Sequence, residues 1–155
     1  MSTALQTALT ELETRLALIR TANGFNTNLG ASVLEAGTYL DESDAPCMAL
    51  YEAKPGDDGV MLVPAGMQTA CGQDFVVRYM VQAYVKRSES QTPLAVAGAA
   101  AQDIMRALMG ANRGALAGAK GHRIDGHGRG LTPKGGNVIP VLVYGAFTVN
   151  ERIYE

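Results

Sequence analysis

Phe75-Val76-Val77-Arg78-Tyr79-Met80-Val81-Gln82-Ala83-Tyr84-Val85-Lys86-Arg87 changes character from each residue to the next, and that alternation decides the fold class. One set, Phe75, Val77, Tyr79, Val81, Ala83 and Val85, is apolar throughout; the other, Val76, Arg78, Met80, Gln82, Tyr84 and Lys86, is mixed. Successive side chains of a strand point to opposite faces, so residues 75–87 read as one long strand with a core face. The second face is too polar for a core, yet Met80 and Tyr84 are too apolar for plain solvent. A face of that kind suits a partner.

Helical patterns lie on both sides of this strand. Residues 2–22 place Leu5, Leu9, Leu12, Leu16 and Ile19 on one stripe, and Asn23-Gly24 then supplies a left-handed stop. Downstream, Thr92 caps and Pro93 opens a second helix that runs to about Met109 and ends at Gly110. Its small residues, Ala95, Ala97, Gly98, Ala99, Ala100 and Ala101, allow close approach of another backbone. Between the first helix and the long strand, residues 31–34 and 47–53 read as short strands. The Pro/Gly/Asp-rich turn at 54–59 favours residues 60–63 as the return arm of a hairpin.

Residues 111–136 are Gly-rich, basic and irregular, far beyond the usual connection of about four to six residues. They read as a functional loop, a disordered segment or a small hairpin. The chain closes on residues 137–152, a strand with Ile139, Val141, Val143, Phe147 and Val149 on one side; Pro140 argues for the strand's start or an unpaired edge. The expectation is an α+β fold. One domain spans residues 1–155, a mixed or antiparallel sheet flanked by the N-terminal helix and a second helix at about 92–109.

With 47% hydrophobic and 18% charged residues the chain has the composition of a globular domain. Its longest apolar run, residues 93–101, is too short to cross a bilayer, and Met1-Ser2-Thr3 lacks the basic start of a signal peptide. Cys47 and Cys71 form no CxxC pair and read as small buried apolar residues. The net charge of −2 argues against a general nucleic-acid binder, but the charges are segregated. Residues 35–59 hold Glu35, Asp41, Glu42, Asp44, Glu52, Asp57 and Asp58 against Lys54; residues 112–136 hold Arg113, Lys120, Arg123, Arg129 and Lys134 against Asp125.

Chemistry concentrates in residues 121–130, where His122, Asp125 and His127 stand among glycines and arginines. A metal needs a fuller set of ligands, and a phosphate cradle needs a strand–loop–helix context that is missing; a charged surface loop remains the plainer reading. Ser88 and Ser90 lack a GxSxG setting, and nothing marks either thiol as activated. No catalytic set converges, so neither an enzyme nor a cofactor is expected.

The order of elements, with DFVVRYMVQAYVKRSES (74–90), TPLAVAGAAAQDIMRALMG (92–110) and NVIPVLVYGAFTVNERIYE (137–155), resembles the tail terminator, or tail-completion, proteins of long-tailed bacteriophages over nearly the whole chain. The likeness is one of layout, weakest at 111–136. It implies a virion structural protein, assembled in the host cytoplasm, that forms a hexameric ring at the head–tail junction. Such a ring caps the tail tube, ends its polymerisation and offers a face to the head. Its partners would be its own copies, the tail tube protein and head–tail connector or neck proteins, with DNA passing unread through the lumen. Two alternatives are another head–tail joining subunit and a small-ligand enzyme using the Gly/His/Arg loop.

The residues themselves agree with a ring, since a cyclic contact joins one patch to a different patch on the next copy. Asp41, Glu42 and Asp44 would meet Arg113, Lys120, Arg123, Arg129 and Lys134, with Arg78, Met80, Gln82, Tyr84 and Lys86 and the Ala-rich helix adding contact area. The basic segment would alternatively face DNA in the lumen; the neighbour contact is favoured, because a strongly attractive lumen would slow transit.

Overall fold

The computed structural model describes residues 3–52, 63–64, 72–110, 115–130 and 134–151. Helix α1, Ala4–Ala17, begins in a reciprocal cap: Gln6 N–H donates to Thr3 Oγ1 at 3.1 Å and Thr3 N–H to Gln6 Oε1 at 3.2 Å. The Leu stripe then turns inward, with Leu9, Leu12, Leu16 and Ile19 buried. The helix stops earlier than the expected residue 22. Gly30 N–H donates to Ile19 O at 2.8 Å, and Asn28 Oδ1 accepts from Thr21 N–H at 2.9 Å, so a returning segment occupies the groups that would extend the helix. Gly24 does adopt the left-handed conformation at φ 84°, closing a 3-10 turn at Thr21–Asn23.

Strands β1 (Cys47–Tyr51), β2 (Val63–Pro64), β3 (Gln73–Lys86), β4 (Lys120–Arg129) and β5 (Val138–Glu151) form one sheet in the order β1-β3-β5-β4, with β2 also on β3. All strand pairs are antiparallel. The fold is α+β. β3 and β5 pair along their whole length, from Gln73↔Glu151 to Lys86↔Val138, and form the spine.

Three expectations are corrected. Residues 31–34 are not a strand: Leu29–Ser32 is a 3-10 turn, and Val33 makes only an isolated parallel bridge to Met48. Nor do the described residues of 47–63 pair with one another as a hairpin. Tyr51 pairs with Met80 and Val63 with Val76, so β1 and β2 follow one another along the same edge of β3; the turn at 54–59 and residues 60–62 lie outside the described residues. Finally, the irregular basic stretch contains β4, which pairs with β5 from Lys120↔Thr148 to Arg129↔Val141. Pro140 sits near the start of β5, as one of its two readings required, but β5 is interior and not an edge.

Helix α2, Pro93–Met109, matches its expected bounds, with Ala95 N–H donating to Thr92 Oγ1 at 3.2 Å and Gly110 as its end. Its small residues serve the protein's own core: Ala97, Ala100, Ala101 and Ala107 are buried with Ile104 and Leu108 among the residues of α1 and the sheet. Ala95 is exposed and Gly98 and Ala99 are half-buried, so only that part of the small-residue run faces outward. Asp103 is fully buried and accepts from Asn26 N–H at 3.0 Å, Thr27 N–H at 2.7 Å and Thr27 Oγ1 at 2.7 Å. Three donors offset the desolvation of that carboxylate and pin residues 26–27 to α2.

Candidate subunit-interface surface

The two helices cover one face of the sheet, where the apolar set of β3 meets its partners Val149, Phe147, Val143, Val141 and Ile139 of β5. The opposite, outer face carries Asp74, Val76, Arg78, Met80, Gln82, Tyr84 and Lys86 of β3 beside Asn150, Thr148, Ala146, Tyr144, Leu142, Pro140 and Val138 of β5. The candidate interface residues of β3 therefore share one surface. They do not share one environment.

Met80 is buried, and the cover is the chain itself. Ala49, Tyr51 and Met80 form a second small core against which Leu34, Leu40, Leu142 and Tyr144 pack. The segment before β1 is laced to that strand's outer edge by Leu34 N–H to Met48 O at 2.8 Å, Gly37 N–H to Leu50 O at 2.9 Å and Tyr51 Oη to Thr38 O at 2.5 Å. Met80 is thus removed from the set available to a neighbour. Gln82 and Tyr84 are half-buried, with Gln82 Nε2 3.5 Å from Tyr84 Oη. Arg78 and Lys86 are exposed, and Arg78 makes no ion pair among the described residues.

Asp41, Glu42 and Asp44 are all exposed on the 3-10 turn Glu42–Asp44 that leads into β1. Asp41 accepts from Ser43 N–H at 3.0 Å, and that bond holds its carboxyl below the ordinary range. None of the three has an ion-pair partner among the described residues. Cys47, next in line, is buried; desolvation pushes its thiol up, with Asp44 and Asp41 adding to the shift. A thiol so placed is not an activated nucleophile. Cys71 lies outside the described residues.

At the other end of the strand order, β4 carries the basic residues. Lys120 Nζ reaches Asp74 Oδ2 at 2.9 Å, and Asn150 Nδ2 donates to Asp74 Oδ1 at 2.9 Å; these bonds, the amide's first, hold the Asp74 carboxyl low. Arg123 Nε lies 2.8 Å from Asp125 Oδ1. Arg129 is exposed at the helix side of the edge, where its guanidinium lies near Gly98 of α2. Lys134 is exposed, and Arg113 lies outside the described residues. The acids at 41–44 and the bases of β4, the latter with Asp74 and Asp125 among them, therefore lie at opposite edges of the sheet, about three strand spacings or ~14 Å apart.

The histidines separate. His122 reaches inward, its Nε2 2.5 Å from Tyr79 Oη and its ring 6.5 Å from that of Phe147, whereas His127 is exposed. Among the described residues no three of His, Cys, Asp and Glu come together as metal ligands, and no helix is long and apolar enough to cross a membrane. β4 was legible only through the hairpin alternative for residues 111–136, because glycines at 121, 126 and 128 dilute its apolar pattern and a register shift between Ile124 and Gly126 breaks its period. The spacing of His122 and Ile124 was the one trace of it. No protein-family model matches this chain, and no curated protein matches it either.

Proposed function

We propose that the protein is a structural subunit that assembles head to tail into a ring, in the manner of a phage tail terminator. The observation that carries this reading is the separation of unlike surfaces: exposed acids at 41–44 beside β1, with no ion pair among the described residues, and the cationic strand β4 at the opposite edge. Two different patches on opposite edges suit a contact that repeats around an axis, whereas a two-fold dimer needs both patches within one self-complementary surface. The resemblance in layout supplies the rest: six subunits, a place at the end of the tail tube, neck proteins above it and DNA through the lumen. The position is in the virion, at the head–tail junction. Another head–tail joining subunit would use the same surfaces, and binding to tail tubes rather than portal-side components separates the two.

Light scattering on a concentration series, with electron microscopy of the purified chain, tests the reading. Ring-shaped particles that add to the ends of tail tubes are expected. A chain that stays monomeric at every concentration and ignores tube ends would falsify it.

A further inference from the structure

Two surface features near opposite edges of the sheet are left unused by the fold. Tyr39 is 80% exposed, more than any other large apolar side chain among the described residues. Its support is fixed: Gly37 and Thr38 are hydrogen-bonded to β1, and Leu40 packs into the outer-face cluster. An aromatic ring on a rigid base loses little freedom when it docks, which is where aromatic anchors draw their strength.

Near the other edge, Gly126 and Gly128 of β4 pair with Tyr144 and Leu142 of β5 on the outer face. A Cβ at either glycine would meet nothing within 4 Å, and neither residue has the positive φ that demands glycine. A left-handed backbone therefore explains neither glycine; Gly126 borders the register shift after Ile124, Gly128 borders none, and glycine weakens a strand. Such positions mark the close approach of another group, and aromatic rings cover bare glycines in sheets. Gly130, by contrast, is accounted for within the chain, because a Cβ there would collide with the Pro140 ring. One row from the trough, exposed Arg78 and Arg123 flank Ala146. Beside Tyr39, Asp41, Glu42 and Asp44 carry the opposite charge.

We propose that the Tyr39 ring of one copy lies in the trough over Gly126 and Gly128 of the next, between Leu142 and Tyr144, with the acids at 41–44 turned toward Arg78 and Arg123. The inference rests on the ring-forming reading and adds which residues meet. Stacking on Tyr144 and burial against Leu142 supply the attraction; the charges set the register.

Cross-linking tests the contact. In a Cys71→Ser background, Tyr39→Cys and Gly128→Cys chains are prepared separately, mixed and mildly oxidised. A disulfide dimer containing one copy of each is expected, with no dimer from either variant alone. Gly128→Val, which a strand accepts, is expected to melt at or above the parent's temperature yet to need roughly tenfold or more protein for half-assembly. Normal rings without the mixed dimer, or wild-type assembly of Gly128→Val, overturn this contact and leave the ring reading intact. Dimers from Gly128→Cys alone point to a two-fold contact through the trough and overturn the proposal. A parent chain that never assembles overturns both readings.

Discussion

Tyr79 lies with its phenol over the backbone of Gly145, close enough that a Cβ there would fall 2.2 Å from the hydroxyl, and it carries that hydroxyl to His122 on the next strand. One side chain on β3 thus spans β5 and fastens β4. Burial holds the phenol well above its ordinary value of 10.0. A group raised in the folded state contributes fully while the unfolded chain is also protonated, and that contribution falls as pH climbs past about 10 toward the folded value. Tyr79→Phe is therefore expected to lose stability less steeply above pH 10, while giving up about 1 kcal/mol at neutral pH for the missing hydrogen bond. Urea midpoints across pH 7–11 measure both, and parallel curves for variant and parent would count against the assignment. Tyr51, also raised by burial, leaves some alkaline slope in the variant. Met80 teaches a different lesson at this scale. Its place on a mixed face suggested a partner, and there is one, but Leu34 and Leu40 of the same chain supply it.

Among the elements, β3, α2 and β5 were legible because each repeats its signal for three turns or more, or for a dozen residues: unbroken alternation in β3, Thr92 and Pro93 before a small-residue helix, odd-numbered apolar residues in β5. The end of α1 was not, since it is fixed by Gly30 and Asn28, which return from further along the chain. β4 was hidden by its glycines, and the cover over β1 by the lack of any period in residues 33–44. Arg15 shows how tertiary contacts define such ends. Its guanidinium donates to Leu108 O at 2.7 Å and to Ala115 O, and pairs with Glu11 at 3.1 Å, while Glu11 accepts from Ala117 N–H. A cation thus satisfies a terminal carbonyl of α2 and seats the segment leading to β4. Arg15→Met, which keeps most of the packing volume, is expected to cost about 1.5–3 kcal/mol in denaturant unfolding. Exchange protection in β4 should fall more than in β3, and an unchanged pattern would show that β4 is held by its ladder alone.

For the whole molecule, the proposed assembly sets affinity and charge in different places: an aromatic on glycine for holding, acids at 41–44 and arginines on the outer face for steering. Exposed charges are screened over about 10 Å at 0.1 M salt. Raising salt from about 0.05 to 0.5 M is thus expected to slow assembly several-fold while leaving the dissociation rate nearly unchanged. Stopped-flow light scattering separates the two rates. A salt effect confined to dissociation would mean that the charged groups are buried in the contact and not at its rim.

The distribution of unlike surfaces to the two margins of one sheet also bears on how such an assembly fills. In a head-to-tail arc every intermediate keeps one aromatic knob and one bare strand unsatisfied, at its two ends, whatever its length. Only closure removes both at once. Closure alone adds a contact without recruiting another copy, so a purified sample should sort into single copies and finished circles with little between them.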